Sequence, residues 1–203
     1  MSRGLFAVAL MCASTSAGGC LFEQRDPEPL VCASIEPGAL AISEVRKAAS
    51  SDTTQVSWVE LYNTTSAAIA MRGVALRFRN PTGASEIDVE VRRAFDAPAG
   101  AYITIGLVDD ATRPDYIDYG ILGQLGTTWP SDVALEVDTC GTKIDVVQYS
   151  SLPSMGTLSL DGASPPTADA NDFAAHFCTD ATLVGGAYPG TPRQPNIVCP
   201  TTP

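Results

Sequence analysis

Two glutamates stand inside otherwise apolar stretches: Glu44 in Ala41-Ile42-Ser43-Glu44-Val45 and Glu60 in Trp58-Val59-Glu60-Leu61-Tyr62-Asn63. A carboxyl pair held about 5–10 Å apart can do acid–base or glycosidic chemistry. The structural alternative has one glutamate accepting backbone or hydroxyl hydrogen bonds at a sheet end and the other facing solvent. Asp109, Asp110, Asp115 and Asp118 form one acidic cluster, and Asp169, Asn171 and Asp172 a second. Loop oxygens of this kind suit Ca²⁺. Neither cluster has the D-x-[DN]-x-[DN]-G spacing of an EF-hand loop, so solvated loop acids are expected and no metal is assigned. His176 is the single histidine. A Ser-His-Asp triad would have to be built on it, and the sequence holds no G-x-S-x-G elbow. Asn63-Thr64-Thr65 has the form of a glycosylation acceptor but reads as the turn after a strand, because Asn favours turns. Trp58 and Tyr62 share a strand parity with Val56 and Glu60, which points to core and edge packing rather than a ligand platform.

The composition narrows the chemistry further. The 203 residues carry 12 Lys+Arg against 23 Asp+Glu, a formal net charge of −11. That length suits one domain plus tails. The acidity argues against nucleic acid as a partner, since affinity for phosphate backbones comes from clustered Lys and Arg. With 45% hydrophobic and only 17% charged residues, the chain is not a disordered polyanion. One histidine leaves little room for zinc sites or imidazole catalysis, and no cofactor is implied.

The N-terminus has one basic residue, Arg3, then the nine-residue apolar run Leu5–Ala13, then Ser14-Thr15-Ser16-Ala17-Gly18-Gly19-Cys20. The run is too short to span a bilayer as a helix but has the length of a secretory signal core. Its end resembles a bacterial lipobox, with Ala17 where Leu is usual. That resemblance implies that residues 1–19 are a signal peptide and that Cys20 is the multiply acylated first residue of the mature chain. Cleavage after Ala17 with release of a soluble protein is the competing reading. Cysteine parity favours the lipid. Removing the leader leaves Cys20, Cys32, Cys140, Cys178 and Cys199, and lipid on Cys20 makes the remainder even. The leader takes away only Arg3 among the charged residues. The mature chain then has 11 basic against 23 acidic residues, a net charge of −12.

No C-x-x-C occurs, so zinc-ribbon and thioredoxin readings fail and two disulfides are expected. The preferred pairing is Cys32–Cys199, closing the two ends, and Cys140–Cys178, stapling the C-terminal segment to a hairpin near Gly141. The other two connectivities stay open.

These residues must be positioned by β-structure. Residues 20–38 hold Cys20 and a Pro- and acid-rich spacer, and residues 200–203 are a tail. Between them the pattern is β, largely of period two: Leu40/Ile42/Val45, Val56/Trp58/Leu61 (alternating until Val59-Glu60), Ile69–Phe78 broken near Gly73, Ile87/Val89/Val91, the nearly continuous run Tyr102/Ile103/Ile105, Val133/Leu135/Val137, Ile144–Tyr149 and Leu158/Leu160. No window of eleven or more residues shows helical periodicity with caps. Seven to nine short strands predict an all-β antiparallel sandwich. Asp161–Asn196, rich in Pro, Gly, Ala, Asp and Thr, predicts a long irregular C-terminal segment.

Several stretches, in order, resemble the lamin-tail domain family over residues 39–199. The most specific is Trp58-Val59-Glu60-Leu61-Tyr62-Asn63. Around it stand Ala41-Ile42-Ser43-Glu44-Val45, Met71-Arg72-Gly73-Val74-Ala75-Leu76 (Val74 where the family has an aromatic), and Ala97-Pro98-Ala99-Gly100-Ala101-Tyr102. Ile144-Asp145-Val146-Val147-Gln148-Tyr149 follows, and Tyr188-Pro189-Gly190-Thr191-Pro192-Arg193-Gln194-Pro195-Asn196 closes the pattern. The resemblance implies an immunoglobulin-like sandwich with structural roles for Glu44, Trp58, Glu60, Tyr62, Asn63, Asp145, Tyr149, Pro189, Gly190, Pro195 and Asn196. The functional expectation is a non-catalytic envelope lipoprotein, held to the outer membrane through its lipid, that recognises or scaffolds an envelope protein or polysaccharide. The alternatives are a Ca²⁺-dependent carbohydrate-binding module and a hydrolase using Glu44 and Glu60.

Overall fold

The computed structural model describes residues 31–49, 55–83, 85–184 and 188–200. Residues 1–19, expected as a signal peptide, and Cys20 lie outside the described residues.

The chain folds as an all-β sandwich of two main sheets. The larger has the order β12-β11-β1-β2-β7-β8. Its strands are β1 (Leu40–Arg46), β2 (Trp58–Asn63), β7 (Tyr102–Gly106), β8 (Tyr119–Gly120), β11 (Thr157–Leu160) and β12 (Phe177–Asp180). Neighbours are antiparallel except for the parallel β7–β8 pair. The smaller sheet, antiparallel throughout, has the order β10-β9-β4-β5, from β4 (Ala75–Arg79), β5 (Glu86–Glu90), β9 (Val133–Thr139) and β10 (Thr142–Tyr149). Two ribbons complete it: β3 (Ile69–Ala70) with β6 (Asp96–Ala97), and β13 (Leu183–Val184) with β14 (Tyr188–Pro189). Helical structure among the described residues is limited to α1 (Leu122–Leu125) and a 3₁₀ turn at Ala174–His176.

Side chains that alternate along the strands meet between the sheets. Leu40, Ile42, Val45, Val59, Leu61, Ile103 and Ile105 from the larger sheet share one core with Leu76, Phe78, Val89, Leu135, Val137 and Val147 from the smaller. Phe78 meets Trp129 edge-to-face at 5.3 Å. Val74, smaller than the aromatic of the family pattern, is fully buried in this core.

Two strands change parity part-way. In β1, Ile42 pairs with Leu61 and Glu44 with Glu60, leaving Ser43 as an extra residue. In β10, Lys143 pairs with Asp138 and Asp145 with Val137, leaving Ile144 extra. These bulges let Leu40, Ile42 and Val45 all reach the core although their spacing breaks strict alternation.

The presumed spacer contributes to the domain. Ile35 is buried in the core, and Gly38 donates its N–H to the Ile144 carbonyl at 2.8 Å. The long C-terminal segment is less irregular than expected. It supplies β12, which extends the larger sheet beyond β11, before returning across that sheet.

The disulfides are Cys32–Cys140 and Cys178–Cys199, with Cα atoms 5.5 and 5.8 Å apart. This corrects the expected Cys32–Cys199 and Cys140–Cys178 pairing. The two ends of the domain are not tied to each other; each is tied to a different sheet. Cys140 sits with Gly141 in the two-residue turn between β9 and β10, where both take left-handed backbone (φ 47° and 84°). The N-terminal segment passes this turn, and Thr139 Oγ1 donates to the Ala33 carbonyl at 3.0 Å. Cys178 lies on β12 at the far edge of the other sheet. There the C-terminal segment runs alongside, with Gly162 N–H donating to Ile197 C=O at 2.8 Å and Cys199 N–H to Asp161 at 2.9 Å.

Candidate functional site

The outer face of the larger sheet carries both candidate glutamates. Glu44 on β1 and Glu60 on β2 are directly opposite in register, and neither has any exposed surface. The face is covered by Pro189–Asn196, here called the clasp. Glu44 accepts from the Thr157 hydroxyl on β11, from the Thr191 N–H at 3.2 Å and from the Thr191 hydroxyl at 3.3 Å. Glu60 accepts from the Ser43 hydroxyl at 2.8 Å and from the Arg193 N–H at 2.6 Å. The expectation that one of the two faces solvent does not hold, because the clasp closes over both. A buried pair whose acceptors are taken up by the protein's own amides and hydroxyls has no room for a sugar ring between its carboxyls.

Burial dominates the electrostatics. Desolvation pushes Glu44 up to about 7, against the opposing hydrogen bonds of Thr157 and Thr191 and with the help of the nearby Asp180 charge. Glu60 is raised well above the usual carboxylate range by burial first and by Glu44 second. Asp180, fully buried at the end of β12, has one carboxylate oxygen without a hydrogen-bond partner.

The clasp can approach this closely because of its local sequence. Gly190 has φ +93°, and a Cβ there would lie 2.7 Å from Glu44 Oε1 and 2.6 Å from Thr157 Cγ2. Arg193 also takes a left-handed conformation (φ 65°). Its guanidinium reaches the Asp115 carbonyl at 2.8 Å and the Asp118 carboxylate at 3.5 Å. Trp58 is fully buried under the same segment.

Three further side chains satisfy the backbone that the β1 bulge leaves without ladder partners. Asp145 Oδ2 accepts the Ile42 N–H at 2.6 Å. Asn171 Nδ2 donates to the Ile42 carbonyl at 2.9 Å and to Asp145 at 2.6 Å. Asn196 Nδ2 donates to the Ser43 carbonyl at 2.9 Å and the Leu160 carbonyl at 2.8 Å. Asp145 is itself raised by burial, which outweighs these hydrogen bonds. The structure therefore brings Glu44, Glu60, Asp145, Gly190 and Asn196 to one place around a single irregularity.

Other candidates lie elsewhere. Asn63 is buried, and its Nδ2 donates to the carbonyls of Ala67, Ala97 and Pro98 at 2.8, 2.9 and 3.0 Å, so the acceptor-like Asn63-Thr64-Thr65 is a turn. Tyr62 is half-buried, with its ring 4.7 Å from that of Tyr102. Tyr102 is pushed up to about 12 by burial and by Glu60. Tyr149 is buried, accepting from Trp129 Nε1 at 3.3 Å, and burial raises its hydroxyl. Pro189 is buried in the clasp, whereas Pro195 is exposed.

The acidic clusters are divided among other partners. Asp110 accepts from Arg93 Nε at 2.8 Å and from the Gly120 N–H at 2.9 Å. Burial alone would raise Asp110, but these bonds and the Arg93 and Arg113 charges bring it below its ordinary value. Asp118 accepts the Thr104 N–H at 2.9 Å. Asp109 caps its own turn through the Ala111 N–H at 2.8 Å, and Asp115 is exposed. In the second cluster Asn171 turns inward while Asp169 and Asp172 face solvent. Among the described residues no group of three or more His, Cys, Asp or Glu is arranged to hold a metal ion. His176 is exposed, with Nδ1 2.7 Å from the Ala170 carbonyl and its ring 5.3 Å from Phe173.

Its spacing in the acidic cluster marks Asn171 only as a loop ligand, and nothing in the sequence pattern marks Thr191, Arg193 or Asp180 for a role. No helix among the described residues is long and apolar enough to cross a membrane. Comparison with protein-family models gives no match, and comparison with curated proteins gives none either.

Proposed function

We propose that this chain is a bacterial envelope lipoprotein whose sandwich is a lamin-tail-like domain, presented outward for recognition or scaffolding of an envelope protein or polysaccharide. The observation that carries the reading is the use made of the polar residues in the motif stretches. Glu44, Glu60, Asn63, Asp145 and Asn196 are all buried and bonded to the fold's own groups. Such residues support a framework, and contact with other molecules then falls to loops and sheet edges. The burial of Glu44 and Glu60 counts against a two-carboxylate hydrolase, and the arginine partners of Asp110 and Asp118 against a Ca²⁺ module.

In this reading Cys20 carries the lipid, and ten residues separate it from Val31, where the described domain begins. One acyl chain anchors only marginally, so the multiply acylated cysteine of the lipobox resemblance is required. An acidic domain is repelled by anionic headgroups and stands off the surface. The test is fractionation of full-length protein beside Cys20→Ser, with intact mass of the membrane-extracted form. The expected result is wild type in the outer membrane with added acyl mass and the variant in the soluble fraction. A variant that stays in the membrane, or an unacylated Cys20, removes the anchor.

A further inference from the structure

We propose that the Glu44–Glu60 pair is a proton-operated latch: while the pair keeps a proton the clasp is closed over the larger sheet, and loss of that proton to solvent releases it. The inference is independent of the proposed function. It starts from geometry. The two carboxyls face each other from adjacent strands, with no exposed surface. Around them, β11 contributes Thr157, β1 contributes Ser43, and β7 places Thr104 opposite Glu60. None of these carries charge. The charged groups that face the pair are Asp180 from β12 and Asp118 ahead of β8, both acidic; Tyr102 on β7 is a neutral titratable neighbour, and buried Arg46, two residues along β1 from Glu44, directs its guanidinium to the Gly156 carbonyl at 2.8 Å and to Gln55. The clasp contributes Arg193, but its guanidinium points to Asp115 and Asp118 while only its backbone N–H meets Glu60. None of the ion pairs among the described residues involves either glutamate. Two carboxylates so placed cannot both ionise cheaply, as like charges in a dry site push one group to keep its proton. Burial raises both groups in the closed form.

The clasp meets the pair between two held ends, the Gly190 N–H on the Thr182 carbonyl at 2.8 Å and the Asn196 amide on the Ser43 and Leu160 carbonyls. Its contacts with the pair are the Thr191 N–H and hydroxyl and the Arg193 N–H. Beyond it, the Cys178–Cys199 bridge keeps the chain attached to β12 when it lifts. Opening would hydrate the carboxyls, return them to their ordinary range and release a proton. Closure therefore weakens as pH rises from the ordinary glutamate range, and each proton released makes opening about tenfold more favourable per pH unit. The change levels off once the closed form has itself lost the proton.

The test is amide hydrogen exchange of the full chain by NMR between pH 5 and 8, corrected for the intrinsic pH dependence of exchange. The Thr191 and Arg193 amides are the reporters, and β2 and β7 ladder amides the reference. The expected result is that the two reporters are less protected than the ladder amides at every pH and lose about tenfold per pH unit for each proton the pair releases, the ladder keeping its margin over them because global unfolding releases the same protons. Glu44→Gln together with Glu60→Gln keeps the size of both side chains without their charge and should make reporter protection independent of pH. Flat protection in the wild type, reporters as strongly protected as the ladder, or an unchanged profile in the double variant overturns the latch. Should the double variant fail to fold, carbon-13 titration of the wild-type carboxyls decides. Two glutamates with raised midpoints support the latch, and all glutamates titrating in the ordinary range refutes it.

Discussion

Asn196→Ala is the sharpest probe of the bulge. The Asn196 amide donates to two backbone carbonyls, of Ser43 at 2.9 Å and of Leu160 at 2.8 Å, both in buried surroundings. Ser43 is the extra residue of the bulge, so its carbonyl has no regular ladder position. Leaving a buried carbonyl unsatisfied costs about 1–3 kcal/mol, giving roughly 2–6 for the pair. Asn196 Oδ1 is itself buried without a partner, and its removal returns about 1 kcal/mol. The expected net loss is about 1–5 kcal/mol, read as a shift in urea midpoint at unchanged m-value. Asn196→Asp separates hydrogen bonding from packing. It preserves the volume but removes the donor and sets a carboxylate oxygen against the same two carbonyls, so it must destabilise more than alanine does. A loss in N196A below about 0.5 kcal/mol, or N196D as stable as N196A, would refute the assignment of the bulge to this side chain.

Non-reducing peptide mapping should return Cys32–Cys140 and Cys178–Cys199. In the chain-entropy relation the separations of 108 and 21 residues make the first bridge contribute about 5 kcal/mol and the second about 3, so its Cys→Ser pair should melt lower. Gly190→Ala should destabilise by more than 1 kcal/mol in thermal melts, because the new Cβ meets Glu44 and Thr157 inside 3 Å at a positive φ. For pH, Glu44 is raised from 4.5 to about 7 in the folded state, so its protonated form is favoured by folding. The stability linked to it is complete below pH 4.5 and is lost as pH rises through 7, about 3 kcal/mol in all. Melting temperature should therefore be higher at pH 5 than at pH 8, and Glu44→Gln should flatten the difference.

The strands that alternate over four or more residues were legible, because one buried face imposes period two on the sequence. β4, β5, β9, β10 and β11 coincide with such runs, whereas β1, β2 and β7 are buried on both faces and were legible from their short, broken apolar sets. Two-residue strands such as β6, β8, β13 and β14 set no period and could not be seen. β12, Phe-Cys-Thr-Asp, is an edge strand defined by its ladder to β11 rather than by a buried face. The bulges were written in the spacing, since Ile42 to Val45 and Ile144 to Val147 each break parity, yet the break alone does not say which residues repair it. Those repairs span the chain: Asp145 reaches Ile42 across 103 positions, and Thr191 reaches Glu44 across 147. Cysteine pairing was hidden for the same reason. It depends on which sheet each terminus follows, and that is set by packing rather than by order along the chain.

The formal charge also takes on a different meaning once the acids are located. Glu44, Glu60, Asp138, Asp145 and Asp180 are all buried. Burial raises the first four, even where Arg77 opposes it at Asp138 by pairing at 2.7 Å. On the outer face of the smaller sheet, Arg77 also meets Asp88 at 2.8 Å and Arg79 meets Glu86 at 3.0 Å, a ladder of opposite signs across β4, β5 and β9. Near neutral pH the folded chain therefore holds protons that its unfolded form would release. Its surface is less negative than −11 implies. The excess of acid is partly an interior property, concentrated where β1 changes register and the C-terminal segment returns. Acidity of that kind offers little to a partner. It makes closure of the fold depend on protons, whereas the acids left outside, such as Asp169 and Asp172, are the ones that meet solvent.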